Sequence, residues 1–223
     1  KMGDTRQILT TDHLRGFTVD HALQARIAAV HALGDCWAMG AEPQTALATL
    51  ILPRLSPDLQ SRWMAEIMAE AAAVFAAEGA EIVGGHSSMG DELTIGFTVT
   101  GLLNRAAITL AGARPGDRLL LTKPLGTGVI LAADMQLSAP GEAVAGAWAQ
   151  MAASSGLAAR ILAQHARAMT DVTGFGLAGH LLNICGASGV AARLDQRTVP
   201  MLPGAADLLA RGLRSTIHGA NDT

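Results

Sequence analysis

The sequence predicts a mixed α/β protein, and three observations support this fold class. Half of the 223 residues are hydrophobic, whereas only 3% are aromatic and there is no Tyr. The core must therefore consist of Ala, Leu, Val and Ile, the usual composition of an α/β enzyme. Apolar residues recur at helical intervals in several stretches, and they alternate strictly with polar or small ones over residues 93–99. The length suffices for one large domain or two small ones.

The first helix is predicted after a short β-type run, residues 8–11, which ends at Asp12. Asp20 precedes the helical stretch and Gly40 follows its end, as expected for helix termini. The apolar stripe of this helix consists of Leu23, Ile27, Val30 and Trp37. A different face carries Ala28, Ala32 and Asp35. Because alanine is small, we expect another group to approach that face closely.

A second strand and a second helix follow directly. Residues 45–52 form a nearly continuous apolar run that Pro53 stops. Ser56 and Pro57 provide a hydroxyl cap and a proline for the first turn of a helix. Apolar residues then repeat at helical intervals as far as Gly79. This order predicts a strand packed beside a long helix.

Two further strands are predicted before the middle of the chain. Residues 81–83 form a strand that we expect to open into a glycine loop at residues 84–88. The alternation over residues 93–99 predicts a half-buried strand in an antiparallel or mixed sheet.

The second half of the chain begins with a predicted hinge. Residues 105–117 contain Gly112, Pro115 and Gly116, and a predicted strand at 119–122 comes next. Further helices are predicted after residue 128 and at residues 142–152, 157–169 and 203–213, with another strand at 190–194. The helix that follows Asp171 has an apolar stripe containing Cys185, which we therefore expect to be a core residue.

Composition excludes several classes of function. The net charge is −3 with scattered signs, which argues against a nucleic-acid-binding surface. The apolar runs are shorter than the roughly 18 residues of a membrane span, and residues 1–9 lack an apolar signal region. Cys36 and Cys185 lie in separate apolar stretches. We therefore expect a cytoplasmic protein with reduced, buried thiols and no membrane or nucleic-acid partner.

Three carboxylates stand out as candidate ligands. Asp12 lies at a strand end, Asp35 on the alanine face of a helix, and Asp171 among small and apolar residues before a helix. Mg²⁺ prefers oxygen ligands and is often held by one or two carboxylates together with substrate phosphates. Asp171 is either a helix N-cap or a metal-binding carboxylate at a strand-to-helix corner, and both interpretations stay open.

Two other stretches are candidates for binding phosphate. Residues 84–87, Gly-Gly-His-Ser, offer backbone N–H groups without obstruction by side chains, although a plain tight turn has the same composition. Lys123 beside Gly126 and Gly128 could neutralise a phosphate, or it could be a solvated lysine in a turn. The Walker pattern is absent from the sequence. His31, His165 and His180 are expected to serve packing or solvation rather than ligation.

Five motifs together resemble the selenophosphate synthetase family, which belongs to a superfamily that includes aminoimidazole ribonucleotide synthetase. They occur in the order of that family and extend over about residues 8 to 215. The matching stretches are residues 9–12 (LTTD), 31–40 (HALGDCWAMG), 83–87 (VGGHS), 121–128 (LTKPLGTG) and 169–180 (MTDVTGFGLAGH). The last stretch is the most specific to the family.

The resemblance implies both a fold and a reaction. The fold is α/β (α+β) with two domains: residues 1–105 for ATP binding and dimerisation, and residues 106–223 as an incomplete C-terminal domain. N-terminal domains pair through their sheets in a homodimer. The family makes selenophosphate from ATP, selenide and water, and it releases AMP and phosphate.

The resemblance also implies roles for particular residues of this chain. Asp12 would contact ATP, and Asp35 would bind both the ATP phosphates and Mg²⁺. Asp171 would be a metal ligand from the second domain. The nucleotide site would further include Gly84, Gly85 and His86.

Two departures from the family affect the expected activity. The family keeps a catalytic Cys or selenocysteine and a nearby Lys in a glycine-rich segment ahead of the first strand, and nothing before Lys1 could hold them. Neither Cys36, which lies beside the negative charge of Asp35, nor Cys185 replaces that nucleophile. The chain also stops at Thr223, before the family's C-terminal portion. We therefore expect part of a longer polypeptide that does not make selenophosphate by itself.

Two alternatives remain from the sequence. The first is another ATP-dependent enzyme of the superfamily, such as aminoimidazole ribonucleotide synthetase, thiamine-monophosphate kinase or a hydrogenase-maturation dehydratase. The residues that follow Asp171 argue against it. The second is a non-catalytic module for nucleotide binding or dimerisation.

Overall fold

The computed structural model describes residues 5–221, and of residues 220 and 221 only the backbone. The sequence analysis predicts that the chain is part of a longer polypeptide. Residues 1–4 and 222–223, at the two ends of the chain, lie outside the described range. Contacts divide the chain into two compact units. Unit 1 comprises the residues up to Ile108 together with Ser154–His165, and unit 2 comprises Thr109–Ala153 together with the residues from Ala166 onwards. The predicted domain division at residues 105 and 106 stays a prediction.

The elements follow one another with strands confined to the first half of the described chain. In chain order they are β1 (Arg6–Arg15), α1 (His21–Ala38), β2 (Glu42–Pro53), α2 (Pro57–Ala77), β3 (Glu81–Gly90), β4 (Thr94–Leu103), α3 (Thr127–Met135), α4 (Gly141–Ala152), α5 (Gly156–Leu162), α6 (Gly176–Ser188), α7 (Ala205–Ala210) and α8 (His218–Asn221).

Unit 1 is a four-stranded mixed sheet with helices on one face. The strand order is β1-β4-β2-β3, in which β4 is antiparallel to both its neighbours and β2 is parallel to β3. A parallel pair requires a crossover connection, which α2 supplies between β2 and β3. The mixed sheet predicted from the alternation at residues 93–99 is therefore confirmed.

The helices of unit 1 begin where the sequence predicts. The Asp20 side chain accepts a hydrogen bond from the Leu23 N–H and caps α1, and Ser56 caps α2 in the same way with Leu59. Both helices pack on the sheet, and they contact each other and enclose the larger core. Such side-chain caps satisfy backbone donors that have no partner within the helix.

The two faces of β4 differ sharply. Ile95, Phe97 and Val99 point into the core and are at most 1% exposed. Thr98 lies on the opposite face, which is not covered by any helix among the described residues of unit 1. Leu9 on β1 is 70% exposed. This uncovered side of the sheet is called the open face below.

The alanine face of α1 is not available to a ligand along its length. Ala28 and Ala32 are 2% and 0% exposed and belong to the larger core. The group that approaches these alanines closely is the protein itself, because α1 packs against β1, β4 and α2. Only the end of this face, at Asp35, stays partly exposed.

Unit 2 has a smaller core formed by α3, α4 and α7. Val129, Ile130, Ala147 and Leu208 are among its buried residues. The predicted strands at residues 119–122 and 190–194 are wrong, since neither segment is a strand. A strand exists only where a neighbour supplies hydrogen bonds, and within the described part of unit 2 no strand pairs with either segment. Apolar composition alone could not reveal this.

Two helices of the second half differ in detail from their predictions. The helix predicted at 157–169 ends at Leu162, and the last predicted helix, 203–213, is observed as α7. Helix α6 contains no residue classed as buried among those described, and Leu182 is 69% exposed. Cys185 is half-buried, so the expectation that it is a core residue is wrong. In the described range, no helix is long and apolar enough to cross a membrane.

Candidate functional site

Asp12 and Asp35 are brought together at the edge of the sheet in unit 1. Asp12 pairs in register with Phe97, so its side chain lies on the face that α1 covers. Thr10, two residues earlier on the same face of β1, donates a hydrogen bond to Asp35 Oδ2. On α1, His31 precedes Asp35 by one helical turn, and its Nε2 lies 3.8 Å from Asp12 Oδ1. The result is a half-buried acidic corner made by β1 and α1.

The electrostatics of this corner favour a cation. Burial raises the pKa of the Asp12 carboxyl above its ordinary 3.8, the charge of His31 opposes that rise, and the neighbouring Asp35 adds to it. Two adjacent carboxylates that have lost part of their hydration repel each other unless a proton or a cation lies between them. Oxygen donors of this kind are those that Mg²⁺ prefers.

Cys36 is adjacent to this corner but turned into the core. Its side chain is 0% exposed, and burial together with the charge of Asp35 raises the pKa of its thiol to about 12. The thiolate, not the thiol, is the nucleophile. The expectation that Cys36 does not act as the nucleophile agrees with this environment.

The residues from Gly84 to His86 form part of strand β3, not a loop. The predicted glycine loop is therefore wrong, and the backbone continues to pair with β2 as far as Gly90. A Cβ atom at Gly85 would lie 2.0 Å from the carbonyl oxygen of Ala48, so β3 can approach β2 only with glycine there. Close packing of β3 against β2 thus explains the glycine at this position. Composition alone could not distinguish this reason from a phosphate-binding loop.

The structure does not bring Gly84, Gly85 and His86 close to Asp12 within unit 1. The strands β1 and β3 are the two edges of the sheet. Three strand spacings of about 4.8 Å separate them by roughly 14 Å. His86 pairs with Thr49, whose side chain is exposed on the open face, while Asp12 lies on the helix-covered face.

Asp171 lies in unit 2 on the loop before α6, and it is half-buried. It is not the N-cap of that helix, because α6 begins at Gly176 and the cap position is Phe175. The capping interpretation of Asp171 is therefore wrong. Gly176 has φ +73°, a left-handed conformation that glycine adopts without strain, so it allows the tight turn that the sequence predicts.

The neighbourhood of Asp171 is organised by His180 on the first turns of α6. The ring atom Nε2 lies 3.1 Å from the Thr173 backbone nitrogen and 3.1 Å from Thr173 Oγ1. The other ring nitrogen, Nδ1, lies 3.5 Å from Thr170 Oγ1. Both ring nitrogens of His180 thus face the loop that carries Asp171. The spacing of residues along the sequence did not indicate these contacts.

Residues 174–179 have the spacing G-x-G-x-x-G of dinucleotide-binding loops. That motif requires a strand directly before it and a helix directly after it. The helix is present, but no strand precedes it within the described residues of unit 2. The match is therefore one of spacing alone.

Lys123 has neither of the two roles considered from the sequence. Its ammonium donates hydrogen bonds to the carbonyl oxygens of Gln150, at 3.0 Å, and of Ala153. These carbonyls end helix α4, where a positive charge is favourable. Burial lowers the pKa of Lys123. Both the phosphate-binding and the solvated interpretations are therefore wrong, because the side chain caps a helix.

The acidic corner also contains Thr10 and His31, which the sequence analysis did not predict to lie beside Asp12 and Asp35. Thr10 and Asp12 are two apart on a strand, and His31 and Asp35 are four apart on a helix, so each pair shares a face.

Across residues 5–221, no group of three or more His, Cys, Asp or Glu side chains is arranged to hold a metal ion.

Comparison with known families identifies both halves of the chain. The family described as AIR synthase related protein, N-terminal domain, matches residues 2–103. The corresponding C-terminal domain family matches residues 114–212. Together the two matches span most of the chain.

Curated relatives narrow the similarity. The selenide, water dikinase of Nitratidesulfovibrio vulgaris (strain DSM 19637 / Miyazaki F) is 44% identical over 195 residues, which is 84% of this chain and 54% of that protein. The selenide, water dikinase of Geobacter metallireducens is 40% identical over 209 residues, which is 92% of this chain and 60% of that protein. The chain thus spans little more than half the length of these relatives.

Solved structures agree in fold. Thiamine-monophosphate kinase from Stenotrophomonas maltophilia K279a superimposes with a TM-score of 0.77 at 22% identity, covering 96% of this chain and 72% of the other. Hydrogenase maturation protein HypE in complex with ATP superimposes with a TM-score of 0.69 at 22% identity, covering 94% and 64%. The chain therefore belongs to the AIR synthase related proteins, and the curated relatives named above are selenide, water dikinases.

Proposed function

We propose that this chain is the nucleotide-binding part of an enzyme that makes selenophosphate from ATP, selenide and water, with release of AMP and phosphate. The observation that carries the proposal is the acidic corner, in which Asp12 and Asp35 face each other and both lie in stretches shared with the selenophosphate synthetase family. The curated relatives support the substrate class. The complex of HypE with ATP, which has the same fold, supports ATP as ligand.

In this proposal the acidic corner binds Mg²⁺ and, through it, the phosphates of ATP. The donor set fits, since carboxylate oxygens are hard ligands, and burial together with the neighbouring Asp35 raises the pKa of Asp12, as expected for two carboxylates that lie close together. Bound Mg²⁺ would neutralise charge on the phosphates. Asp35 accepts a hydrogen bond from Thr10, and His31 Nε2 lies 3.8 Å from Asp12 Oδ1. Asp171 is proposed as a further Mg²⁺ ligand.

Gly84, Gly85 and His86 are proposed to line the nucleotide site. The support is their match to the family motif, together with the exposure of Gly84 and His86. No nucleophile is proposed within the described residues, because the raised pKa of Cys36 leaves its thiol protonated at neutral pH. Catalysis would then depend on a thiolate or selenolate that another segment provides.

Calorimetric titration with ATP in the presence of Mg²⁺ tests the proposed site. Asp35→Asn and Asp171→Asn should each weaken binding at least tenfold, about 1.4 kcal/mol, because each removes one proposed carboxylate ligand of Mg²⁺. Asp91→Asn, at an exposed turn, is the matched control and should bind as the parent chain does. Unchanged affinity in both site variants would remove the metal assignment.

The reaction itself is tested with selenide. Phosphorus NMR of the chain with ATP, Mg²⁺ and selenide, together with the family's nucleophile segment, should show selenophosphate and AMP in equal amounts. Formation of ADP with thiamine monophosphate as acceptor would instead support the thiamine-monophosphate kinase alternative. ATP binding without turnover under any of these conditions would favour the non-catalytic module.

A homodimer through the open face is also proposed. Leu9 is 70% and Leu47 48% exposed on this face, and threonine pairs such as Thr45 and Thr100 leave it flat enough for a second layer. Exposed apolar patches of this kind often mark interfaces. Light scattering should give about twice 22.9 kDa. Leu47→Glu should give a monomer, whereas a monomeric parent chain would contradict the proposal.

The proposed compartment is the cytoplasm. Both cysteines are free, and Cys36 is buried where it has no partner thiol to pair with. Reduced thiols are typical of that compartment. Localisation of a fluorescent fusion would check this.

A further inference from the structure

We propose that His180 is a positioning residue, which fixes the loop at residues 170–173 and thereby holds Asp171 in place. The inference rests on the proposed role of Asp171 as a metal ligand. It concerns a residue for which the sequence suggested only packing or solvation. The contacts of His180 with Thr170 and Thr173 flank Asp171 on both sides.

The hydrogen bonds determine which ring nitrogen of His180 carries the proton. The backbone N–H of Thr173 can only donate, so Nε2, at 3.1 Å, must accept and is unprotonated. A neutral ring then carries its proton on Nδ1, which faces Thr170 Oγ1 at 3.5 Å. Thr170 Oγ1 donates its own hydrogen to the carbonyl oxygen of Asp171 at 3.0 Å, which leaves an oxygen lone pair for the ring.

One tautomer is consistent with these contacts: Nε2 accepts from the Thr173 N–H and shares its lone pair with the Thr173 hydroxyl, and Nδ1 donates towards Thr170 Oγ1. The polar chain runs from the Thr173 N–H through the imidazole to Thr170 and on to the backbone of Asp171. The loop at residues 170–173 has no regular secondary structure, and the carbonyl oxygen of Thr173 accepts a hydrogen bond from the Gly176 N–H at 3.0 Å. The ring of Phe175 lies edge-to-face with the same imidazole, with centroids 6.0 Å apart.

The arrangement assigns His180 to positioning rather than to metal binding. Both ring nitrogens are directed at the threonines of the loop, so neither is available to a cation. Ligands on irregular loops depend on neighbouring hydrogen bonds for their orientation, and loss of such a partner commonly lowers metal affinity about 10- to 100-fold. His180 lies one to two turns into helix α6, so it can supply such a hydrogen bond to the loop from a helix, which is more regular than the loop itself.

Three variants of His180, together with Asp171→Asn, separate positioning from a general effect on folding. His180→Phe keeps an aromatic ring beside Phe175 but removes both nitrogens. His180→Gln places an amide oxygen near the position of Nε2, where it can accept from the Thr173 N–H. His180→Asn has a shorter side chain and cannot reach that N–H as well. Asp171→Asn shows how much Mg²⁺-dependent ATP binding is lost when the proposed ligand itself is removed.

The first readout is the Mg²⁺ dependence of ATP binding, measured by calorimetry with and without Mg²⁺. We expect His180→Phe to raise the Mg²⁺ concentration for half-maximal binding about tenfold, while ATP binding without Mg²⁺ is unchanged. His180→Gln should restore most of the loss, and His180→Asn should not. A purely structural role would lower both kinds of binding together and would not respond to glutamine.

The second readout is independent of any ligand. In the parent chain the Thr173 amide should exchange slowly with solvent, and nitrogen NMR should show Nδ1 protonated and Nε2 unprotonated. The exchange should accelerate in His180→Phe and recover in His180→Gln. A fast-exchanging Thr173 amide or a protonated Nε2 in the parent chain would overturn the inference even if one variant failed to fold.

The outcomes for the two proposals are distinguishable. If Asp171→Asn weakens Mg²⁺-dependent binding but His180→Phe does not, the metal site stands and the positioning role is overturned. If Asp171→Asn has no effect, the metal role of Asp171 is overturned, and the positioning role with it.

Discussion

Helices α1 and α6 make an instructive pair, because each lies beside a proposed ligand and each carries a cysteine. Helix α1 has ten buried residues, among them Cys36, and presents Asp35 near its end. Helix α6 has no buried residue among those described, and Cys185 is only half-covered. Asp171 precedes it on a loop that His180 holds by hydrogen bonds.

The difference concerns how a ligand is fixed in space. Asp35 belongs to a helix that cannot move without disturbing the larger core, so its position has the stability of unit 1. Asp171 depends on a few local hydrogen bonds, and such segments open at much lower free energy than a core does. We therefore expect Mg²⁺ to change the dynamics of the loop at Asp171 much more than those of α1.

The two cysteines provide the largest expected contrast. The pKa of Cys36 is about 12, so at pH 8 its thiolate fraction is about a thousandfold or more below that of an ordinary thiol. Alkylation with iodoacetamide, followed by mass spectrometry, should therefore modify Cys185 and leave Cys36 intact. The Cys185→Ser variant should take up no label, and labelling of Cys36 at the same rate as free cysteine would contradict the buried environment.

Glycine substitutions should act in opposite directions in the two units. Gly85→Ala should destabilise unit 1 by about 3 kcal/mol, since its Cβ would meet the Ala48 carbonyl at 2.0 Å. At Gly186 on α6 nothing lies within 4 Å, so Gly186→Ala should stabilise by about 0.5–1 kcal/mol.

Chemical denaturation measures both effects. Gly84→Ala is the matched control for the first, because its Cβ would be 3.4 Å from Leu47, close to ordinary contact. Equal stability of the Gly84 and Gly85 variants would show that β3 does not approach β2 as closely as described.

Local patterns predicted the elements of unit 1 better than those of unit 2. Asp20 and Ser56 cap helices through contacts three residues away, and the alternation around Phe97 depends on one strand alone. These features are visible in sequence because they involve near neighbours. The path of β3 through Gly84 and Gly85 was not predicted, because the partner strand β2, about 40 residues away, decides it.

A moderate effect is expected from the lysine that caps α4. Lys123→Met keeps most of the side-chain length but removes the hydrogen bonds to the carbonyls of Gln150 and Ala153. We expect a loss of about 1 kcal/mol in stability. Arg118→Met, at an exposed position, is the control. Thermal unfolding measures the stability of both variants. A loss in Lys123→Met no greater than in Arg118→Met would contradict the capping role.

The smallest expected effect concerns Asp12. Its pKa is raised in the folded chain, chiefly by burial, so folding favours the protonated carboxyl. That favourable contribution is fully present below pH 3.8 and is lost as the pH rises through the folded pKa. Asp12→Asn should therefore raise Tm slightly at pH 7, and the difference should vanish near pH 3, while ATP binding weakens.

Thermal unfolding of Asp12→Asn at several pH values checks this prediction. A lower Tm at pH 7 would mean that ionised Asp12 stabilises the fold, which would contradict the upward direction of its pKa shift. The opposite directions of the stability and binding changes are typical of a site that is maintained for function rather than for stability.

The candidate site was predictable in its members but not in its arrangement. Asp12, Asp35 and Asp171 are noticeable in sequence because each is a carboxylate among small or apolar residues. That Asp12 and Asp35 meet depends on how α1 lies on β1, and that His180 faces Thr173 depends on the shape of one loop. Such contacts follow from three-dimensional packing, which spacing along the chain does not encode.

The segment at residues 154–165 makes unit 1 a discontinuous domain, because it returns to that unit after the chain has formed α3 and α4. It is attached there by Glu78, whose side chain is 9% exposed and which binds Arg160 and Ser154. A gene fragment that ends at Ile108 would leave this carboxylate without both partners. To express unit 1 by itself, residue 108 would have to be joined to residue 154 through a linker, so that the missing piece is encoded in the same polypeptide.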